Sequence, residues 1–206
     1  MAAPNPLPGF RSGRSVVTRN IFWTDQRRDF VMGLIDSGNA YDGSNTNYED
    51  ELREGLVLAR ITSTKKWVPC KRTRANGAGS ATATLVVYDA RTFKTSDTLK
   101  VGSNNTCAIS SINYSTNTIT LSATKTWSDG DAVYCDSLAG SEIPRAVLAE
   151  FIKLKDEDAI WRDKSFSMGL VSGFLDNDQI LGDLTGIRAA TNYLSQILWA
   201  DQQGAN

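Results

Sequence analysis

The sequence predicts a mainly β protein, and three observations support this prediction. Short apolar runs alternate with Gly-, Ser- and Asn-rich stretches, which are typical of strands joined by turns. Two stretches, 55–70 and 106–124, each have the apolar–turn–apolar pattern of a β-hairpin. The periodicity of an amphipathic helix occurs at one place, 185–203, near the end of the chain. We therefore expect a β-rich fold with one C-terminal helix.

Residues 1–20 are predicted to form an extended N-terminal arm. Pro4, Pro6 and Pro8 lie at alternate positions, which favours extended backbone and excludes a helix. Such an arm can become ordered by pairing with the edge of a partner's sheet. Disorder of the terminus in the free protein is the alternative.

The region that follows combines apolar segments with a polar loop. The run 16–23 fits a strand, whereas 30–35 fits either a helical turn or a second strand. The loop 36–54 is rich in Ser, Gly and Asn. Its acidic residues lack the spacing of an EF-hand calcium loop, so we expect them to face solvent.

The stretch 55–70, GLVLARITSTKKWVPC, is predicted to be a scaffold hairpin rather than the floor of a pocket. Its turn contains Lys65 and Lys66, which we expect to be solvated. Pro69 cannot donate a backbone hydrogen bond, so it marks a sheet edge or the end of a strand. A flexible, solvated connection should follow, with the basic residues Lys71, Arg72 and Arg74.

Residues 82–136 are predicted to form an inserted, barrel-like all-β subdomain. Two segments in it resemble each other, TFKTSDTL at 92–99 and TWSDGDAV at 126–133. Each has Thr, an aromatic residue, three intervening residues, Asp, one more residue and an aliphatic. We expect Asp97 and Asp131 to close turns that lead into strands. With only two copies, coincidence is the alternative.

The C-terminal third returns to long apolar runs. We expect one strand within 144–154 and another within 165–181, with a turn at 176–178. The segment 185–203 is predicted to be a helix that packs on the core. Its apolar face would consist of Ile187, Ala190, Leu194, Ile197 and Leu198.

The composition excludes several functional classes. The chain has no histidine, which removes Ser-His-Asp and Cys-His catalysis and makes a zinc or copper site improbable. Lys and Arg total 22 against 23 Asp and Glu, so no basic excess indicates nucleic acid as a partner. No signal peptide or membrane-spanning run is present in the sequence. We expect a non-enzymatic protein, made in a cytoplasm, without catalytic residues, metal, cofactor, nucleic-acid or membrane partner.

The three cysteines are Cys70, Cys107 and Cys135, and their spacing does not resemble a metal clip. We expect small, semi-buried apolar side chains in a reducing compartment, with a disulfide between two of them as the alternative.

Carboxylates and aromatic residues leave two weaker possibilities. Paired carboxylates can support glycoside hydrolysis, but the acidic residues here occur mostly in turns, which is their commonest role. These are Asp97, Asp129, Asp131, Asp176 and Asp178. Aromatic rings can stack on sugars, although a tryptophan lies more often in a core or an interface. The candidates are Trp67, Trp127, Trp161 and Tyr134.

Two blocks of the chain have to be considered together, 55–70 and 145–181, RAVLAEFIKLKDEDAIWRDKSFSMGLVSGFLDNDQIL. In this order they resemble the head decoration (capsid cement) proteins of lambda-like tailed bacteriophages. The resemblance covers roughly half of the chain, and its motifs are short and apolar. The matching positions are Gly55, Val57, Leu58, Lys66, Val68, Pro69, Ala146, Val147, Leu148, Ala149, Gly173, Leu175 and Leu181. The chain departs from the family in its greater length, its longer N-terminal region and the inserted 82–136.

The resemblance implies a fold and a set of partners. The core would be a β-tulip or small barrel formed by 21–81 and 137–206, with the insert facing outward. Subunits would form homotrimers on the outer surface of an expanded capsid, bound to the major capsid protein through the arm. The arm residues expected to make this contact are Pro4, Pro6, Pro8, Phe10, Arg11, Arg14, Val16 and Val17.

Two other functions remain as alternatives. A carbohydrate-binding or adhesion module of a tail fibre or virion surface would use the insert to contact a glycan or host surface. A carboxylate-based hydrolase would have two acidic residues with shifted pKa values in one cleft.

Overall fold

The computed structural model describes residues 29–103, 105–190 and 197–200, and within them the chain is mainly β. The elements are β1 (Asp29–Ile35), β2 (Glu51–Leu52), β3 (Val57–Arg60), β4 (Trp67–Pro69), β5 (Arg72–Arg74), β6 (Gly79–Val86), β7 (Thr98–Val101), β8 (Asn105–Asn113), β9 (Thr118–Trp127), β10 (Ala132–Cys135), β11 (Pro144–Leu148), β12 (Ile152–Lys153), β13 (Lys164–Asp176), a 3-10 helix (Asn177–Gln179), α1 (Leu184–Arg188) and β14 (Ile197–Ala200). The predicted fold class is confirmed.

The first barrel is a closed ring of five strands. Its sheet has the order β1-β4-β3-β11-β13-β14, and β1 also pairs with β13, which closes the ring. β14 lies outside the ring, parallel to the C-terminal part of β13. A single cluster of buried apolar side chains provides the interior, including Ile35, Leu58, Val68, Leu148 and Phe166.

The predicted hairpin at 55–70 is confirmed as β3 and β4 of this barrel. The two strands are antiparallel, with Arg60 opposite Trp67 and Leu58 opposite Pro69. Lys65 has a φ of 62°, the left-handed conformation that lets the chain reverse in a short turn. β4 ends at Pro69, as expected for a residue without a backbone N–H.

The second barrel consists of six strands in the order β5-β10-β7-β8-β9-β6. It closes beyond β5, where Ala75 bridges Val87 and the backbone N–H of Tyr88 donates to the carbonyl of Arg74. The predicted hairpin at 106–124 is confirmed as β8 and β9. The barrel starts at Arg72, before the predicted boundary at 82, because the Gly- and Ala-rich connection forms β5 and the beginning of β6.

The second barrel contains two halves of the same design, a first half at 71–102 and a second half at 105–136. Leu85 pairs with Ile119, and Lys100 pairs with Tyr134; in both pairs the partners lie 34 positions apart. Such pairing of counterparts is expected where a local two-fold axis relates two copies. The same offset also relates buried residues across the core. These counterparts are Ala75 and Ile109, Leu85 and Ile119, Val87 and Leu121, Phe93 and Trp127, Leu99 and Val133, and Val101 and Cys135.

The two aspartates of the repeated segment both close turns, as predicted. Oδ2 of Asp97 accepts a hydrogen bond from the backbone N–H of Lys94 at 2.8 Å. Oδ2 of Asp131 accepts the equivalent bond from Ser128 at 2.9 Å. β7 and β10 begin at the residues directly after these aspartates. The resemblance between the segments is therefore a structural repeat rather than a coincidence.

The C-terminal helix is much shorter than predicted. α1 has five residues, and the side chain of Asp183 caps it by accepting from the backbone N–H of Gly186. Ile197–Ala200, which was expected to be helical, forms β14. The β-branched and aromatic side chains of this run favour a strand when β13 offers an edge to pair with, and tertiary pairing here outweighs helical periodicity. Among the described residues, no helix is long and apolar enough to cross a membrane.

Candidate functional site

The two blocks 55–70 and 145–181 lie side by side in the first barrel. β3 of the first block pairs with β11 of the second, with Val57 opposite Val147 and Leu58 opposite Ala146. β11 then pairs with β13, where Val147 faces Leu170. Segments far apart in the chain thus form consecutive strands of one sheet.

Most of the motif positions are structural, because their side chains are buried. The fully or nearly fully buried ones are Val57, Leu58, Val68, Ala146, Val147, Leu148 and Leu181. Ala149 is partly buried against the apolar cluster that contains Val57 and Val147. Pro69 ends β4, and Gly173 and Leu175 lie in β13 where it pairs with β14. The buried positions among them therefore build the first barrel.

Gly55 joins the two blocks through its backbone. Its N–H donates to the carbonyl of Leu148, and its carbonyl accepts from the N–H of Leu181. Its φ is +88°, and a Cβ at this position would overlap the carbonyl oxygen of Gln179. Only glycine fits this close approach without strain.

Lys66 is not simply solvated, in contrast to the prediction. Its Nζ lies 2.6 Å from Oδ2 of Asp163, at the start of β13. The same carboxylate accepts from the backbone N–H and the hydroxyl of Ser37. The hydrogen bond from Lys66 lowers the pKa of Asp163, which ties the hairpin turn to two other parts of the first barrel.

The arm residues from Pro4 to Val17, and the possible strand at 16–23, lie outside the described residues. The described chain begins with β1, which settles the ambiguity at 30–35 in favour of a strand. This strand leaves alternate apolar side chains on the outside of the barrel. We call Phe30, Met32, Leu34 and the neighbouring Met168 the β1 stripe; Met32 is 75% exposed.

The β1 stripe borders an open depression of about 500 Å³ between β1 and β13, lined by Met32, Gly33 and Phe166. Gly33 has no side chain, so the rings of Trp67 and Phe166 can approach it closely. A contiguous exposed apolar surface of this kind is typical of a protein contact. Sequence reasoning missed the stripe because it did not separate strand from helix in this segment.

The aromatic residues considered as sugar platforms divide into buried and exposed ones. Trp67 and Trp127 lie in the cores of the first and second barrel. Trp161 is 37% exposed at the end of the hairpin formed by 155–161. The ammonium groups of Lys94 and Lys155 lie 5.7 and 5.0 Å from its ring centroid, within cation–π range.

The carboxylates do not form a hydrolase-like cleft among the described residues. Asp97 and Asp131 each accept a backbone N–H within their own turns, and Asp129 accepts the backbone N–H of the distant Gly77. Burial raises the pKa of Asp89, but this group pairs with Arg91 and lines a cavity of about 10 Å³, the size of a water molecule. No group of three His, Cys, Asp or Glu side chains in the described ranges could hold a metal ion.

The basic residues at 71–74 are ordered, whereas the sequence predicted a flexible connection. Arg74 forms an ion pair of 2.9 Å with Asp183, and Nε of Arg72 donates to the carbonyl of Gly186. Both contacts attach β5 to the α1 region that follows the first barrel. Lys71 is completely buried, and its Nζ lies 2.6 and 2.8 Å from the two carboxylate oxygens of Asp97.

The three cysteines are buried and unbridged, so the expectation of buried thiols is confirmed. Burial raises the pKa of Cys70 to about 12 and raises that of Cys135 as well. These thiols are therefore weak nucleophiles at neutral pH.

The chain was compared with family models, curated proteins and solved structures, and none of them matches it.

Proposed function

We propose that this chain is a capsid decoration protein that binds the outer surface of a tailed-phage head. It acts as a homotrimer and attaches to the major capsid protein through the arm at residues 1–20. Its role is mechanical, because many copies on one shell add up to a large stabilisation even when each contact is weak. The protein is made in the host cytoplasm and ends on the virion surface.

One observation carries this proposal: the two blocks that resemble decoration proteins supply four of the five strands of one closed barrel, β3, β4, β11 and β13. β4 ends at Pro69 and β11 begins at Pro144, and the whole second barrel lies between them in the chain. An insertion at this point leaves the pairing of β3 with β11 intact. This is the arrangement expected if a decoration-type core has acquired an additional domain.

The surface of the first barrel also favours assembly. The β1 stripe exposes several large apolar side chains next to the point where residues 1–28 join β1. Exposed apolar surface of this kind favours contact with another protein over contact with water. An arm already biased to extended backbone by Pro4, Pro6 and Pro8 loses less entropy when it docks.

Co-sedimentation with undecorated, expanded capsids of the phage that encodes the chain tests this function. We expect the full-length protein to sediment at near one copy per capsid subunit. A variant that lacks residues 1–15 should stay in the supernatant while circular dichroism shows its barrels intact. A full-length protein that does not bind these capsids contradicts the proposal.

A second candidate function is glycan binding, favoured by the exposed ring of Trp161 between Lys94 and Lys155. Glycan-array binding by the full chain that is lost in Trp161→Ala would support it. The control is Tyr88→Ala, which removes an exposed aromatic residue of the second barrel, away from the 155–161 hairpin. Absence of binding by the wild-type chain contradicts this function.

A further inference from the structure

The Lys71–Asp97 pair lies at the junction of the two barrels, where water is excluded. The Lys71 side chain is 0% exposed and that of Asp97 is 4% exposed. Cys70, on one side of Lys71, packs with Val57 and Val147 in a core of the first barrel. Arg72, on the other side, begins the second barrel. Lysine is almost never buried so completely unless a partner removes the cost of its charge.

The charges of this pair are incompletely compensated. An ammonium has three N–H donors, and among the described residues the hydrogen bonds of Lys71 Nζ go only to the two oxygens of Asp97. Burial lowers the pKa of Lys94, and the nearby charge of Lys71 lowers it further. A buried N–H donor that lacks an acceptor costs free energy.

The second half of the barrel shows that the turn does not need this lysine. Asp131, the counterpart of Asp97, closes the same turn with the same backbone hydrogen bond. The counterpart of Lys71 is Asn105, whose side chain donates instead to the carbonyl of Thr126. Lys71 therefore occurs only in the first half, and the turn does not require it.

We infer that Lys71 and Asp97 form an intramolecular isopeptide bond between Nζ and Cγ. The ammonium passes one proton to Oδ1, and the free amine attacks Cγ. The C–N bond forms, the C–Oδ1 bond breaks, and Oδ1 leaves as water with a second proton from the nitrogen. The two charges cancel, and water and the amide are the only products. The backbone N–H of Lys94, which donates to Oδ2 at 2.8 Å, stabilises the negative charge that develops on this oxygen.

This cross-link closes the loop from 71 to 97, which contains β5 and β6. It ties the point where the chain enters the second barrel to the turn before β7. A covalent link at this point limits the freedom of the unfolded chain. The inference concerns the chain alone and stands whether or not the protein binds capsids.

Intact-mass spectrometry of the denatured full-length protein tests the bond, with Lys71→Arg as the reference variant. We expect the wild type to be lighter than its sequence mass by one water molecule and Lys71→Arg to have its full sequence mass. A protease digest of the wild type should contain one branched peptide that joins the segments around Lys71 and Asp97. Asp97→Asn should lose ammonia instead of water, because an amide leaving group replaces the hydroxyl.

Two results overturn the inference. A wild-type protein with its full sequence mass, after incubation until the mass is constant, means that the pair is an ion pair only. A water loss that persists in Lys71→Arg means that an aspartate has cyclised elsewhere, for example before Gly43 or Gly130. The matched control is Asp131→Asn, which must keep the water loss because the counterpart turn has no lysine. The mass of Lys71→Arg is decisive even if that variant is unstable, because no amide to Asp97 can form without the lysine; circular dichroism must show that Asp131→Asn is folded.

Discussion

The two halves of the second barrel share their interior and differ on the side that meets the rest of the protein. Phe93 and Trp127, for example, occupy the same buried place in each half. The differences concentrate in charged residues of the first half. Lys71, Arg72, Arg74 and Asp89 correspond to Asn105, Thr106, Ala108 and Ala123 in the second half.

Three of these charged residues serve the junction with the first barrel. Arg74 pairs with Asp183, Arg72 donates to Gly186, and Asp89 lines the small cavity beside Leu181 and Gly182. The second half has polar or small, exposed side chains at the equivalent places of β8. The comparison therefore separates what a half-barrel needs to fold from what attaches it to its neighbour.

The largest effects should come from the shared interior. Phe93→Ala and Trp127→Ala should each lower the free energy of unfolding by about 3–5 kcal/mol, since both remove a large buried ring. Urea unfolding followed by far-ultraviolet circular dichroism measures both. Ser110→Ala, on the exposed face of β8, is the control and should change stability by less than about 0.5 kcal/mol. A large loss in one variant and none in the other would break the equivalence of the halves.

The two turn aspartates, Asp97 and Asp131, should differ in how much they contribute to the free energy of unfolding. Asp97→Ala leaves the buried Lys71 without a carboxylate and should cost about 3–5 kcal/mol. Asp131→Ala removes only turn hydrogen bonds at a partly exposed site and should cost about 1 kcal/mol. The same urea titration measures both. Equal losses would show that Lys71 adds nothing to the first half.

The sequence predicted the shared features better than the junction. Hairpins at 55–70 and 106–124 and the turns at Asp97 and Asp131 follow from local patterns, namely apolar alternation and turn-forming residues, that the fold retains. The repeat was visible only as eight residues, because most counterparts, such as Ala75 and Ile109, share burial rather than identity.

What the sequence could not predict depends on distant partners. Lys71 belongs to a run that is locally typical of a solvated loop, and only Asp97 and the surrounding barrels make it a buried residue. Ile197–Ala200 has helical periodicity, yet the edge of β13 makes it a strand. The outward direction of the β1 stripe likewise depends on pairing with β13. No local pattern contains these contacts.

A smaller effect is expected at the junction itself. Arg74→Ala leaves the nearly buried carboxylate of Asp183 without its guanidinium and should cost about 1–3 kcal/mol. Because Asp183 also caps α1, amide hydrogen exchange at Leu184–Arg188 should accelerate while exchange in β8 and β9 stays unchanged. The control, Thr106→Ala, changes the exposed counterpart of Arg72 and should leave both regions unchanged. Faster exchange throughout the second barrel would mean that Arg74 supports the barrel rather than the junction.

The smallest expected effect is a pH dependence of the free energy of unfolding that comes from Asp89, which only the first half of the second barrel has. Burial raises the pKa of Asp89 above its ordinary value, and Arg91 offsets only part of this shift. The stability that comes from the raised pKa is present below the ordinary pKa and is lost as the pH rises through the folded-state pKa. Asp89→Asn cannot lose a proton, so its free energy of unfolding should rise relative to the wild type as the pH increases through this window.

Asp163 in the first barrel should give a pH dependence of stability with the opposite sign, so it serves as the control. Its pKa is lowered by Lys66, so its contribution is present above the ordinary pKa and is lost as the pH falls through the folded-state pKa. Asp163→Asn should therefore lose stability relative to the wild type as the pH increases. Urea titrations of both variants between about pH 3 and pH 7 measure these opposite slopes. Slopes of the same sign would show that Asp89 is governed by Arg91 rather than by burial, and that the charged side of the first half stabilises the junction at neutral pH.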